Sequence, residues 1–233
     1  MNSKDHQSTT NRRDFLGTLA MGAGALTMAS LAFPAKLAAH SPNFNLPGED
    51  PEEWLNKIKG KHRVVFDVTE PNGIMPLAWP RVFLMTNRQT GADLNECTAV
   101  VILRHEAIPY AFNDSVWKKY KLGDATKIND PKTGAPAARN IFSKPAEGDF
   151  AIPGIGNVKV GINELMADGV MFGVCSVAIL VNSHVIAQKM NMDADTVHKD
   201  ILAGVLPGIQ LLPSGVWGVG RAQEHNCNYC IGG

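Results

Sequence analysis

Two runs in this chain are apolar at every position and show no alternation: Thr98-Ala-Val-Val-Ile-Leu103, after its opening threonine, and Val170-Met-Phe-Gly-Val174. Strands buried on both faces read this way, and such strands belong to parallel sheets covered by helices on each side. A strand with one wet face would instead carry polar residues at every second position. Arg63-Val-Val-Phe-Asp-Val68 reads as the strand before these two, ended by the turn-forming Glu70-Pro-Asn-Gly73. Ile209-Gln-Leu-Leu-Pro213 and Tyr229–Ile231 read as the strands after them.

Helical patterns fill the gaps. Pro51–Lys59 follows Asp50 as a cap with proline at its first position, and Pro80–Asn87 starts at a proline. Asn113–Tyr120 sets Val116, Trp117 and Tyr120 on one face, which assigns these aromatics, like Trp217, to packing. Leu165 and Met166 suit a short helix stopped by Gly169, and Ser176 reads as the cap of a helix starting near Val177. Asn182, Ser183 and His184 follow as surface residues. Asp193–Ala203 ends at Gly204, and Ser214 caps Val216–Glu224. Strands alternating with helices mean an α/β fold with a mostly parallel sheet. The span from Asp124 to Lys159 fits no period and is rich in proline and glycine. It reads as a long loop at 124–160, either a surface excursion over a pocket or an oligomer contact, or disorder.

The N-terminus reads as targeting sequence. Asn11-Arg12-Arg13-Asp14-Phe15-Leu16 sets paired arginines before an apolar, Gly- and Ala-rich run to Phe33, and resembles a twin-arginine export signal. The segment 1–39 is therefore expected to be a signal that directs the chain to the periplasm through the twin-arginine machinery. An uncleaved membrane anchor is the other reading. Residues 40–61 read as a linker and 62–233 as one domain, a size that buries a full core. The formal net charge is zero and no basic cluster follows the leader, so nucleic acid is not an expected partner. Export of a folded chain suits a protein that loads a cofactor or assembles beforehand.

An oxidising compartment changes how the four cysteines read. Four allow three disulfide pairings, and spacing does not choose among them. Cys175 stands where a strand ends and a helix begins, and a thiol at a helix N-terminus is drawn toward thiolate. The plain reading is a small buried hydrophobe. His105 and Arg104 follow the strand Thr98–Leu103, and ligands of open α/β sheets bind beyond the carboxyl ends of strands. On that geometry His105 stabilises a Cys175 thiolate and Arg104 holds an anionic sulfur compound, whereas the plain reading leaves both facing water. His225, Cys227 and Cys230 crowd into six residues, a set suited to copper or zinc. A fourth ligand would come from Cys97, His105 or His184; a disulfide is the simpler reading. The order is not the Cys-x-x-Cys-His of covalent haem attachment, because Ile231 follows Cys230.

The block Glu164-Leu-Met-Ala-Asp-Gly-Val-Met-Phe-Gly-Val-Cys-Ser-Val-Ala178, followed by Leu206-Pro-Gly-Ile-Gln-Leu-Leu-Pro-Ser-Gly-Val-Trp-Gly-Val-Gly-Arg-Ala-Gln-Glu224, resembles the DsrE/DsrF-like family. Val100-Val-Ile-Leu-Arg-His105 and Asn113-Asp-Ser-Val-Trp-Lys-Lys-Tyr-Lys121 fit its second strand and helix. The resemblance implies a three-layer sandwich on a five-stranded sheet, and a homo-oligomer, trimer or hexamer. It also implies a persulfide carried on Cys175 between a sulfur donor and an acceptor protein, which needs a thiolate and no cofactor. The long excursion, the terminal Cys-x-x-Cys and the export signal depart from the simple relay pattern. The alternative is a non-catalytic oligomeric module that binds a metal, haem or small ligand through the terminal His/Cys cluster.

Replacing both Arg12 and Arg13 with Lys is expected to strand unprocessed precursor in the cytoplasm, read by fractionation and blotting. Normal export of that variant would remove the targeting reading.

Overall fold

The unbroken apolar runs become the middle of one parallel sheet. The computed structural model describes residues 48–152, 154, 156–158 and 160–233, so the expected signal 1–39 lies outside the described residues. In chain order the elements are α1 (Pro51–Leu55), β1 (His62–Val68), α2 (Met75–Gln89), β2 (Cys97–Leu103), α3 (Asp114–Lys119) and α4 (Leu122–Thr126). There follow β3 (Phe150–Ile152), β4 (Gly156–Val158), α5 (Ile162–Ala167), β5 (Met171–Cys175), α6 (Ser176–Met190) and α7 (Ala194–Ala203). β6 (Gln210–Leu212), α8 (Gly215–Glu224) and β7 (Asn228–Ile231) complete the chain.

Five strands pair side by side in the order β6-β5-β2-β1-β7, all parallel. β3 and β4 form a separate antiparallel pair. Central β2 is buried from Thr98 to Leu103, as its composition requires. One face packs Val65, Val100 and Ile102 under Trp54 and Leu55 of α1 and Ala222 of α8. The other packs Phe66, Val101 and Phe172 under α2, α3, α6 and α7, through Leu84, Trp117, Ile179 and Ile201. The result is the expected three-layer α/β sandwich. Among the described residues no helix is long and apolar enough to cross a membrane.

Several local expectations are corrected. The helix expected at Pro80–Asn87 runs from Met75 and passes through Pro80. An interior proline costs about 3 kcal/mol. Burial of Leu77 and Leu84 on the sheet offsets this at about 1.5–3 kcal/mol for each side chain. The span expected as a linker contributes Trp54, Leu55 and Ile58 to the core, with Asp50 capping α1 through the backbone N–H of Glu52 at 2.7 Å. Ser183 is fully buried rather than on the surface, and its hydroxyl donates to the Ile179 carbonyl.

Rather than disorder, the described part of the long excursion shows side chains anchored in the core. Phe142 is fully buried and packs its ring at a tilt against Tyr110, with ring centroids 4.4 Å apart. The amide of Asn140, 2% exposed, donates to the carbonyls of Tyr110 and Phe112. A charged knot ties the segment to itself: Arg139 bonds Asp130 at 2.7 Å and reaches Asp149 at 3.3 Å. These contacts are side-chain specific, and hydrophobic periodicity carries no trace of them.

The hydrogen bond from Arg139 holds the Asp130 carboxyl below its usual range. A carboxyl depressed in the folded state adds stability that is complete above its unfolded value of about 4, and is lost as pH falls through the depressed value. Acid is therefore expected to loosen the excursion. Replacing Arg139 with Met leaves buried Asp149 with only the more distant Lys132 at 3.9 Å, and removing one member of a buried pair costs about 3–5 kcal/mol. Because Arg139 keeps partial solvent access, about 3 kcal/mol is the expected loss in a denaturant melt. Early proteolysis should fall within the excursion. A melt within about 0.5 kcal/mol of the parent would show that the knot is not structural.

Candidate functional site

The carboxyl ends of the parallel strands converge on Cys175. β5 pairs with β2 so that Val174 lies beside Leu103, and with β6 so that Cys175 lies beside Leu212. Arg104, one residue beyond Leu103, therefore follows at the level of Cys175. Its main chain is fixed there by donation to the Val68 carbonyl at 3.0 Å.

Cys175 is itself the N-cap of α6, a role expected for Ser176. Its Sγ accepts the backbone N–H of Ala178 at 3.2 Å. The bond ties the sulfur to the first turn of α6, at the positive end of a fifteen-residue helix. The side chain is 6% exposed. Next to it, the Ser176 hydroxyl is buried without a hydrogen-bond partner among the described residues. An unmade buried hydrogen bond costs about 1–3 kcal/mol, so an orphan beside a capping thiol points to function rather than stability.

A second layer stands behind the thiol. Arg104 grips Asp67 of β1 side-on, Nε to Oδ1 at 2.6 Å and Nη2 to Oδ2 at 2.8 Å. The Tyr229 hydroxyl of β7 donates to the same Oδ2 at 3.0 Å. Asp67 is 4% exposed. The hydrogen bond to Asp67 raises the Arg104 pKa above its ordinary value, and the guanidinium lies within Coulomb range of Cys175. Burial, then the bond to Asp67, pushes the Tyr229 phenol up, so it stays a donor at neutral pH. Nη1 of Arg104 has no acceptor among the described residues. Gly215, the first residue of α8, is required here, since a Cβ on it would stand 2.4 Å from the Arg104 Cβ. That close approach sets a cation against the positive end of a helix, which the Asp67 carboxylate offsets.

His105 departs from its expected role. It takes a left-handed conformation, φ +52°, and its side chain is exposed. The turn lets Glu106 N–H reach the Thr69 carbonyl and Ala107 N–H the Arg104 carbonyl, both at 3.0 Å. Arg104, not His105, is the charged neighbour of Cys175.

The terminal cluster does not assemble. Cys227 is buried on the α1–α8 face, whereas Cys230 packs against the opposite core, because neighbouring positions on a strand face opposite ways. His225 caps the end of α8. Among the described residues no three His, Cys, Asp or Glu side chains are grouped to hold a metal ion, so neither copper nor zinc finds a ligand set with Cys97, His105 or His184. All four cysteines are free thiols. Burial pushes the Cys227 thiol up to about 11, and burial, then Glu96 and Asp93, raise that of Cys97. Both are poor nucleophiles at neutral pH, and Cys97 opens β2 at the far end of the sheet from Cys175.

Sequence reading found Cys175 and Arg104 but missed Asp67, Tyr229 and the orphan hydroxyl. Asp67 left a signal, as the lone acid inside the run Val64–Val68. Tyr229 left none. A groove of about 720 Å³ lined by Trp54, Met166, Met171 and Pro207 lies at the amino ends of β5 and β6, away from Cys175.

No family model matches the chain, and no curated protein matches it. Among solved structures, MTH1491 of Methanobacterium thermoautotrophicum, described as a protein of unknown function, is similar over 73% of this chain and 98% of its own. The two are 19% identical, with a TM-score of 0.36.

Proposed function

We propose that this chain is an exported, homo-oligomeric sulfur carrier of the DsrE/DsrF-like kind, acting through Cys175. The observation that carries the reading is the Cys175 sulfur, held as the cap of α6 at the carboxyl end of a central strand and faced by Arg104. The thiolate attacks the outer sulfur of a persulfide or polysulfide donor, R–S–S⁻. The donor's S–S bond breaks, RS⁻ leaves with the electron pair, and Cys175 carries the outer sulfur as a persulfide. An acceptor thiolate then attacks that sulfur and Cys175 leaves as thiolate. The two exchanges balance without an oxidant or a cofactor. The free Nη1 edge of Arg104 and the Ser176 hydroxyl supply donors for the anionic outer sulfur. Trp79, Val82 and Met85 on α2, and Val181 and Val185 on α6, are exposed apolar side chains that support assembly into a trimer or hexamer.

Treatment of the reduced protein with inorganic polysulfide is expected to add sulfur at Cys175, located by peptide mass spectrometry. Cys175→Ser should abolish the gain, and native mass spectrometry of the same sample should show an oligomer. Sulfur retained in the serine variant, or found on Cys97 or Cys230 alone, would defeat the carrier reading. A monomer at micromolar concentration would remove the assembly.

A further inference from the structure

We propose that Asp67 is the positioning residue of the Cys175 site: its carboxylate fixes the Arg104 guanidinium side-on and cancels the charge that Arg104 would otherwise impose on the thiol. The inference rests on the reading of Cys175 as the working residue, but not on the identity of the group it carries.

Two of the five guanidinium N–H bonds go to Asp67, and the Tyr229 hydroxyl donates to the Oδ2 that Arg104 Nη2 also bonds. A flexible arginine so anchored has one orientation, with Nη1 left for other partners. A charge-neutral pair beside a thiol acts differently from a bare arginine. The bare cation would favour the Cys175 thiolate more strongly, a poorer arrangement for a carrier. A low-pKa thiol is less nucleophilic, and as a good leaving group it releases its load to any thiol. With Asp67 in place, Arg104 supplies hydrogen-bond donors while adding little net charge.

Other ionisable groups do not duplicate this role. His105 and Glu106, beyond β2, are exposed. The Tyr110 hydroxyl from the turn His105–Ala111 is spent on the Gly73 carbonyl at 2.7 Å. Cys230 stands on the edge strand β7, separated from β5 by β1 and β2. The first turns of α6 and α8 carry no charged side chain. The charge felt by Cys175 is thus set by Arg104 and Asp67, with Tyr229 as a neutral donor.

The test is the pH profile of Cys175 alkylation by iodoacetamide, an uncharged probe that reads thiolate, resolved by peptide mass spectrometry on the full chain. Asp67→Asn is expected to move the midpoint down by about one unit, because Arg104 loses its counter-charge. Arg104→Gln should move it up by about one unit, because Asp67 then faces the thiol alone. The double variant should return close to the parent. An unmoved or raised midpoint in Asp67→Asn overturns the proposal, as does a double variant that tracks either single change. If near-UV circular dichroism shows Asp67→Asn unfolded, Arg104→Gln decides alone: an unmoved or lowered midpoint overturns it. Iodoacetamide delivers no sulfur, so the two ideas separate. Expected shifts in a protein that takes no sulfur sink the carrier reading only, and unmoved midpoints in one that does take sulfur sink this inference only.

Discussion

The side-on pair between Asp67 and Arg104 is the interaction on which the functional end of this molecule depends. Buried ion pairs are weak devices for stability: desolvation consumes most of the Coulomb gain, and an apolar pair of the same volume often does as well. An apolar pair would also suit the strands here, since Val64, Val65, Phe66 and Val68 of β1 and Ala99 to Leu103 of β2 are apolar and buried. The pair persists at the point where Cys175, the start of α8 and β7 meet, and that location favours organisation of the site over stability. Replacing Arg104 with an aliphatic residue would leave Asp67 buried without a counter-charge.

The sheet explains why these groups meet. In a parallel sheet all carboxyl ends lie on one side, so residues far apart in sequence arrive together without a dedicated loop. Asp67 and Cys175 stand at the carboxyl ends of β1 and β5, Arg104 and Gly215 follow β2 and β6, and Tyr229 comes from the last strand. The middle of the sheet, Ala99 to Leu103, is fully buried and holds the ends at fixed spacing. Helices α6 and α8 both begin at this edge and direct their N-termini toward it. Cys175 caps the first of these helices, the second begins against Arg104, and Asp67 offsets the cation there.

Much of the fold was legible in the sequence because the hydrophobic pattern of a doubly covered sheet is strong. The two apolar runs, the caps Asp50 and Ser214, and the stop at Gly169 are local signals, and each stands where it was expected. The failures share a cause, since each was decided by tertiary contacts. Pro80 sits inside a helix because the sheet rewards the whole of α2, and the excursion is ordered by Arg139, Asn140 and Phe142, whose partners lie in other segments. At the site, Cys175 announced itself through its strand-to-helix junction. His105 drew attention as a familiar partner for a thiol, yet backbone pairing to Thr69 turned it outward. Asp67 was visible as an acid in an apolar run, but its partner depended on strand order, which a single sequence does not contain. The separation of Cys227 from Cys230 is likewise a matter of which core each side chain enters.

The central claim is that one thiol, Cys175, carries sulfur with its outer atom held by Arg104. A crystal structure of the protein after reaction with polysulfide tests it most directly, because position and chemistry are read together. The account predicts added density on the Cys175 sulfur, with the outer atom within hydrogen-bond distance of Arg104 Nη1 and the Asp67 pair intact. Added density on another cysteine, or an outer sulfur turned away from Arg104, would contradict it.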